Sequence, residues 1–255
     1  MFINADNNQY ITINDIKKNV IKEMKENNFV YLKMEHSIKL INEYINNQSF
    51  DVDKFVRSWD KLELDKYMGD GGQYRRRRYS TLSSDVTSRE VRLEPHQPHF
   101  QTKHYNNLNG DIERHYEPIK DEIIKSKIMK SIFHLSHDLF TELSPKGNWH
   151  IETHQFRIEV TDNQIGKPTP EGIHRDGVDY VLMLCINRIN CIGGESTIYD
   201  KNKNKLISFT MKNAFEMVML NDKELFHGVS PIFRIDKEKK AVRDMLVITF
   251  RKKQE

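Results

Sequence analysis

The segment Gly172–Asp200, GIHRDGVDYVLMLCINRINCIGGESTIYD, decides how the rest of the chain is read. It holds His174-x-Asp176, an apolar run, the Gly193-Gly194 turn and a second strand-like run. Side chains alternate across a β-strand, so on a strand His174 and Asp176 share one face. An imidazole beside a carboxylate supplies two of the three protein ligands of a 2-His-1-carboxylate metal set. The third is expected from a distant strand, and His227 in Leu225–Ile232, LFHGVSPI, is the candidate.

Outward from that segment, 255 residues suit one large domain or two small ones. The chain carries 40 basic and 37 acidic residues, a formal net charge of +3, so no global polycation for nucleic acid or membranes is indicated. Cys185 and Cys191 are too few for a disulfide framework or a cysteine-rich zinc site, and reduced thiols in a cytoplasmic setting are expected. No apolar run approaches the ~20 residues of a membrane span, and Met1–Asn19 lacks the apolar core of a signal peptide. No pattern in the chain specifies an oligomer.

From Asn148 onward the pattern is β. His150, Glu152, His154, Phe156, Ile158 and Val160 alternate with Trp149, Ile151, Thr153, Gln155, Arg157 and Glu159, two faces of one strand. Further strands are expected at 179–186, 196–199, 206–211, 215–220, 225–232 and 243–251, with one more at His174. The first 147 residues read as helical and mixed. Helices are expected from an Asn14 cap to Glu26, over 38–45, over 52–67, and over Glu117–Leu143 with Pro118 in its first turn. His96, His99 and His104 lie in a proline-containing loop and read as structural or solvent-facing. Tyr74-Arg75-Arg76-Arg77-Arg78-Tyr79 is strand-like, with Arg76 and Arg78 on one face and Arg75 and Arg77 on the other. It reads either as a solvated basic patch or as one wall of an anion site. The flanking tyrosines also permit base stacking, but one short run in a near-neutral chain does not indicate nucleic acid.

Together these residues resemble the Fe(II)/2-oxoglutarate-dependent dioxygenases, most closely the branch of L-isoleucine 4-hydroxylase-like enzymes acting on free amino acids. The matching motifs are His154-Gln155-x-Arg157, His174-x-Asp176, Ile192-Gly193-Gly194, Phe226-His227-x-Val229-x-Pro231 and Arg243-Asp244-x-Leu246-x-x-Thr249-Phe250. Weaker matches are Arg76-x-Arg78-Tyr79, Phe100-Gln101-x-Lys103, Tyr105-Asn106 and Arg114. The resemblance implies an α+β fold: a double-stranded β-helix, or jelly roll, supported by N-terminal helices. One dioxygenase domain over 1–255 is expected, with 1–147 as support and 148–255 as the metal-bearing core.

The resemblance further implies that His174, Asp176 and His227 bind Fe(II) and leave positions for 2-oxoglutarate and O2. Arg243 would grip the distal carboxylate of 2-oxoglutarate, with Arg251 as its rival and Thr249 as a possible hydroxyl partner. The implied reaction is hydroxylation of an unactivated C–H bond of a free L-amino acid, giving succinate and CO2. The alternatives are an oxygenase acting on a tethered amino acid or another small metabolite, a cupin-like metal protein without oxidative chemistry, and a non-catalytic binding module. For the substrate, Gln155, Arg157, Arg76 and Arg78 are the expected contacts, with Arg114 next.

Overall fold

A computed structural model describes residues 11–45 and 51–253. In chain order its elements are α1 (Ile13–Asn27), β1 (Phe29–Leu32), α2 (Met34–Tyr44), α3 (Val52–Arg57) and a 3-10 turn (Ser58–Lys61). Then come β2 (Glu63–Leu64), β3 (Arg75–Ser84), β4 (Val91–Leu93), α4 (Asp121–Ile124), α5 (Lys127–Leu143) and β5 (Trp149–Val160). The remainder is β6 (Tyr180–Ile189), β7 (Cys191–Gly193), β8 (Ser196–Tyr199), β9 (Lys205–Phe209), β10 (Met217–Asn221), β11 (Phe226–Val229), β12 (Ile232–Arg234) and β13 (Ala241–Lys252).

The main sheet has eight strands in the order β1-β10-β6-β13-β5-β3-β2, with β4 on β3. Facing it are a three-stranded sheet, β11-β8-β9, and the ribbon β12-β7. Every pairing is antiparallel. This is the expected mixed α and β architecture, two facing sheets with helical support. The support is not confined to one half of the chain, because β1, β2, β3 and β4 join the sheet formed by the later strands.

Alternation explains the layering. On β6 and β13, Leu182, Leu184, Leu246, Ile248 and Phe250 point outward into the core formed with α1, α2 and α5. Val181, Met183, Cys185 and Met245 point inward, toward the smaller sheet and its Ile198 and Phe209. Both faces of the main sheet are therefore covered, and a fully buried aliphatic side chain contributes about 1.5–3 kcal/mol. On α1, Ile16, Val20, Ile21 and Met24 form the buried stripe.

Several helix boundaries differ from the sequence expectation. Thr12, not Asn14, caps α1, through a capping box with Asp15. The expected helix over 52–67 stops at Arg57, tightens into a 3-10 turn and gives way to β2. Glu117–Leu143 is not one helix. Pro118 lies ahead of the short α4, and Ser126 then caps α5 by accepting from the Met129 amide. Ser126 competes for backbone donors and so favours a new N-terminus over helix continuation. Around the metal motif, His174 makes a single-residue bridge to His227 rather than a strand.

The Gly193-Gly194 turn is required sterically. Both residues have positive φ, 78° and 67°, and a Cβ on Gly193 would stand 2.1 Å from the Pro231 carbonyl oxygen. The turn thus lets the β7–β8 connection press against β12 and against the stem of Arg243.

Candidate active site

One cavity lies between the sheets. Its floor is a grid of inward-facing residues from three adjacent strands, read from the β3–β5–β13 register. Arg75, Ile158 and Arg243 form one row. Arg77, Phe156 and Met245 form the next, then Tyr79, His154 and Val247, then Thr81, Glu152 and Thr249. Rows are separated by about 6.6 Å and strands by about 4.8 Å. Glu171, His174, Asp176 and His227 close the cavity from the other side, and the loop after β4 adds His99, Gln101, Asn106 and Arg114.

His174 and His227 exchange both backbone hydrogen bonds, each 2.9 Å, which brings their ring centroids to 4.4 Å. Asp176 sits between them: its Oδ1 is 3.9 Å from His174 Nε2 and its Oδ2 is 3.6 Å from His227 Nε2. The turn carrying Asp176 is pinned by buried Asp222, whose carboxylate accepts from the Asp176, Gly177 and Val178 amides at 3.0, 2.8 and 3.1 Å. His174 Nδ1 is 3.0 Å from the Gly172 carbonyl oxygen, to which it donates, so in the neutral ring the Nε2 lone pair is directed at the cavity.

Electrostatics single out the same cluster. Burial, reinforced by the nearby Asp222, pushes the Asp176 carboxyl up to about 7. Burial alone would lower His174, but the Glu171 and Asp176 carboxylates outweigh it and raise it. Burial, followed by the His174 charge, drives His227 well below the ordinary histidine value, so its imidazole is neutral. Buried carboxylates this close together without a cation are costly, and one divalent ion facing them removes the cost.

His99, Glu152 and His154 form a second set whose ligand atoms also lie within 4.8 Å of one another. A proton assignment separates the two sets. The Arg77 guanidinium donates to His154 Nδ1 at 2.6 Å, so Nε2 carries the ring proton and faces Glu152 Oε2 at 3.8 Å. A protonated nitrogen is not a ligand. Glu152 instead accepts from Tyr79 Oη at 3.2 Å and lies 3.3 Å from His150 Nε2, as a braced part of the wall.

Arg243 is buried in the cavity floor and its Nε has no hydrogen-bond partner. Burial depresses its pKa. Arg251 is exposed and lies outside this cavity. Thr249 is six residues from Arg243, about 20 Å along the strand, too far to share a carboxylate with it.

The four expected substrate contacts face away from the cavity. Gln155 donates to Ser58 Oγ at 2.9 Å. Arg157 makes a two-bond pair with Asp244, both bonds 2.7 Å, and a third bond to Asp60 at 2.7 Å. Arg76 pairs with Glu159 at 2.9 Å, and Arg78 bonds the Lys61 and Pro118 carbonyls and Glu63. The alternation along β3 and β5 was read correctly, but the inward faces are Arg75/Arg77 and Glu152/His154/Phe156. His99 likewise lies in the cavity wall, buried, not at the solvent surface. The sequence reading left open which face of the arginine run lines an anion site, took His99 as structural or solvent-facing and placed Glu152 only as a strand position; Glu171 and Asp222 carried no signal in it. The motif matches at Gln101, Asn106 and Arg114 were the available signal for the loop's share of the site.

A profile of the 2OG-Fe dioxygenase family matches residues 56–249. Curated relatives include 3(1)-hydroxy-L-isoleucine 4-dioxygenase of Pantoea ananatis, 26% identical over 219 residues, covering 84% of this chain and 87% of that protein. L-isoleucine-4-hydroxylase of Bacillus thuringiensis is 28% identical over 193 residues, covering 74% and 78%. Among solved structures, a bsmA homolog from Methylobium petroleophilum superposes with a TM-score of 0.83 at 30% identity, covering 92% and 93%. IDO from Bacillus thuringiensis shares the fold, with a TM-score of 0.76 at 20% identity, covering 93% and 100%. The profile spans well over half of the sequence and takes in the His174–Asp176–His227 cluster and Arg243, so the chain belongs to the 2OG-Fe dioxygenases, enzymes that use Fe(II), 2-oxoglutarate and O2.

Proposed function

We propose that this dioxygenase hydroxylates an unactivated C–H bond of a free aliphatic L-amino acid, with His174, Asp176 and His227 holding Fe(II) and Arg243 holding 2-oxoglutarate. The donor set fits that metal: two imidazoles and one carboxylate converge on one side, and the other side opens to the cavity. The observation that carries the reading is Arg243, a buried guanidinium with an unpartnered Nε in the same cavity as the triad. A plain metal site has no use for it, whereas a dicarboxylate reaching from metal to wall does.

When bound, the metal with 2-oxoglutarate and O2 supplies C–H hydroxylation: one oxygen atom becomes the substrate hydroxyl, the other enters succinate, and CO2 leaves. The chain's own residues do the rest. Asp222 holds the Asp176 turn, the His174–His227 bridge sets the spacing of the two rings, and Arg243 aligns the co-substrate. Val178, Met183, Met245 and Val247 line the cavity and offer an aliphatic side chain an apolar surface. Two curated relatives named for isoleucine oxidation support an amino acid as the substrate.

Among the described residues no helix is long and apolar enough to cross a membrane. Cys185 and Cys191 are both free and buried, in keeping with a reducing, cytoplasmic setting.

The test is a screen of the common L-amino acids for Fe(II)-dependent, substrate-stimulated succinate release, with the product gaining the mass of one oxygen. Aliphatic amino acids are expected to stimulate. Stimulation only by a non-amino-acid metabolite overturns the reading.

A further inference from the structure

Four arginines reach the cavity, and their partners differ. Arg75 is satisfied: its Nε bonds Asp65 at 2.7 Å in a buried pair. Arg243 is assigned above to 2-oxoglutarate. Arg77 and Arg114 remain. Arg77 donates to a neutral imidazole, His154, and its carboxylate contact is Asp65 at 3.8 Å, already engaged by Arg75. Its guanidinium is clamped against the rings of Tyr116 and Phe156, 3.8 and 4.5 Å from their centroids, and its Nε has no partner. Arg114 is 1% exposed, donates to the neutral Gln101 Oε1 at 3.0 Å, and its Nε also lacks a partner. Two guanidinium groups buried to this degree, facing a cavity and bonded to neutral acceptors, are costly unless an anion completes them.

Their position says which anion. Arg77 and Arg243 start on either side of β5 and one row apart, about 12 Å from each other, so the floor presents two separate anchor positions. Gln101 ties Arg114 to the metal cluster, since its amide nitrogen donates to the Asp176 carbonyl at 3.1 Å. Arg77 and Arg114 line the same cavity as the triad, so an anion between them lies in that cavity, which Val178 and Val247 also line.

Resting on the functional reading above, we propose that Arg77 and Arg114 form the subsite for the α-carboxylate of the substrate. The enzyme then takes amino acids whose carboxylate is free, and not residues tethered through that group to a carrier or a peptide. Arg77 stays fixed by its aromatic clamp and its bond to His154, so the carboxylate meets a preorganised donor.

The experiment reads ligand binding through the visible charge-transfer band of the anaerobic Fe(II)–2-oxoglutarate complex. The probes are L-isoleucine and L-isoleucinamide, or the best amino acid of the screen and its amide. Wild-type enzyme is expected to bind the acid at least about 30-fold more tightly than the amide, as for loss of a close charge pair. In Arg114→Met and Arg77→Met that ratio is expected to fall about tenfold or more, while the charge-transfer band still forms. Because Arg77 also braces His154, its variant is judged only by the ratio, which a general loosening of the fold does not change. If the acid binds but the ratio is the same in both variants as in wild type, the subsite assignment is overturned and the functional reading stands. If no amino acid perturbs the wild-type complex, the functional reading falls and the subsite with it.

Discussion

His174 and His227 are 53 residues apart in sequence yet bonded to each other through both backbone N–H groups. The spacing of the two imidazoles is therefore set by main chain and not by side-chain packing alone. Substituting either side chain should leave that bridge, and so the fold, in place.

His174→Ala, Asp176→Ala and His227→Ala are each expected to lower Fe(II) affinity by about 100-fold or more and to abolish turnover. The scale is set by outer-shell partners, whose loss alone typically costs 10–100-fold. Thermal midpoints of the metal-free proteins should match or exceed wild type for Asp176→Ala, because a strained buried carboxyl is removed. Metal titration with succinate readout checks both points, and full activity in Asp176→Ala without an added anion would overturn the triad.

What the sequence revealed and what it hid follow from one property of this fold. Period-two alternation assigned every residue of β5 to the correct set, and Arg76/Arg78 were correctly separated from Arg75/Arg77. Which set faces the cavity was not legible, because both faces of the main sheet are buried and both carry charge. Arg157 lies as deep as Arg77, with side-chain exposures of 4% and 3%, yet one closes a structural ion pair and the other faces the cavity. Alternation and composition do not show that the loop with His96, His99 and His104 folds over the sheet, and only the motif matches at Gln101, Asn106 and Arg114 mark it. His99 reaches the cavity through a bridge to Arg114, a long-range pairing. The grouping of His174, Asp176 and His227 was legible because three such residues at distinctive positions have few other reasons to occur together.

The Asp176 carboxyl supplies a pH prediction. In the folded, metal-free protein it is raised from its ordinary value of 3.8 to about 7, and Asp222 and His174 are raised as well. A raised acid binds its proton more tightly when folded, so its contribution to stability is complete at low pH. That contribution is lost as pH rises from about 4 through about 7. Metal binding must displace the same proton, so Fe(II) affinity is expected to fall about tenfold per pH unit below pH 7. Thermal shifts on adding Fe(II) anaerobically should accordingly be larger at pH 8 than at pH 6. A pH-independent shift would contradict the account of Asp176 as a buried carboxyl that keeps its proton to about pH 7.

Arg243→Ala is expected to raise the KM for 2-oxoglutarate by about 30-fold or more, on the order of 2–5 kcal/mol for a closed charge pair. Arg251→Ala should change it by less than about twofold. The two residues share a strand face but are separated by about 26 Å along β13, and Arg251 is exposed. A larger effect from Arg251→Ala would invert the assignment. Initial-rate kinetics against 2-oxoglutarate at saturating amino acid distinguishes the outcomes.

The last prediction concerns Arg157, expected from sequence to contact the substrate and found on the outer face. Its guanidinium is bonded to Asp244, which is fully buried, and to Asp60 on the 3-10 turn between α3 and β2. The pair ties β5 to β13 and fixes the turn over them. Arg157→Ala leaves the Asp244 carboxylate buried without a cation, and breaking such a pair costs about 3–5 kcal/mol. Replacing both partners with apolar residues, as in Arg157→Met/Asp244→Leu, removes the stranded charge and should recover most of that loss. Urea denaturation of the single and double variants measures the difference. At temperatures where Arg157→Ala remains folded, its affinities for 2-oxoglutarate and for the amino acid should stay within about threefold of wild type, since the side chain faces away from both. A tenfold loss of amino-acid affinity with unchanged stability would return Arg157 to the substrate pocket and reverse the assignment of the two faces of β5.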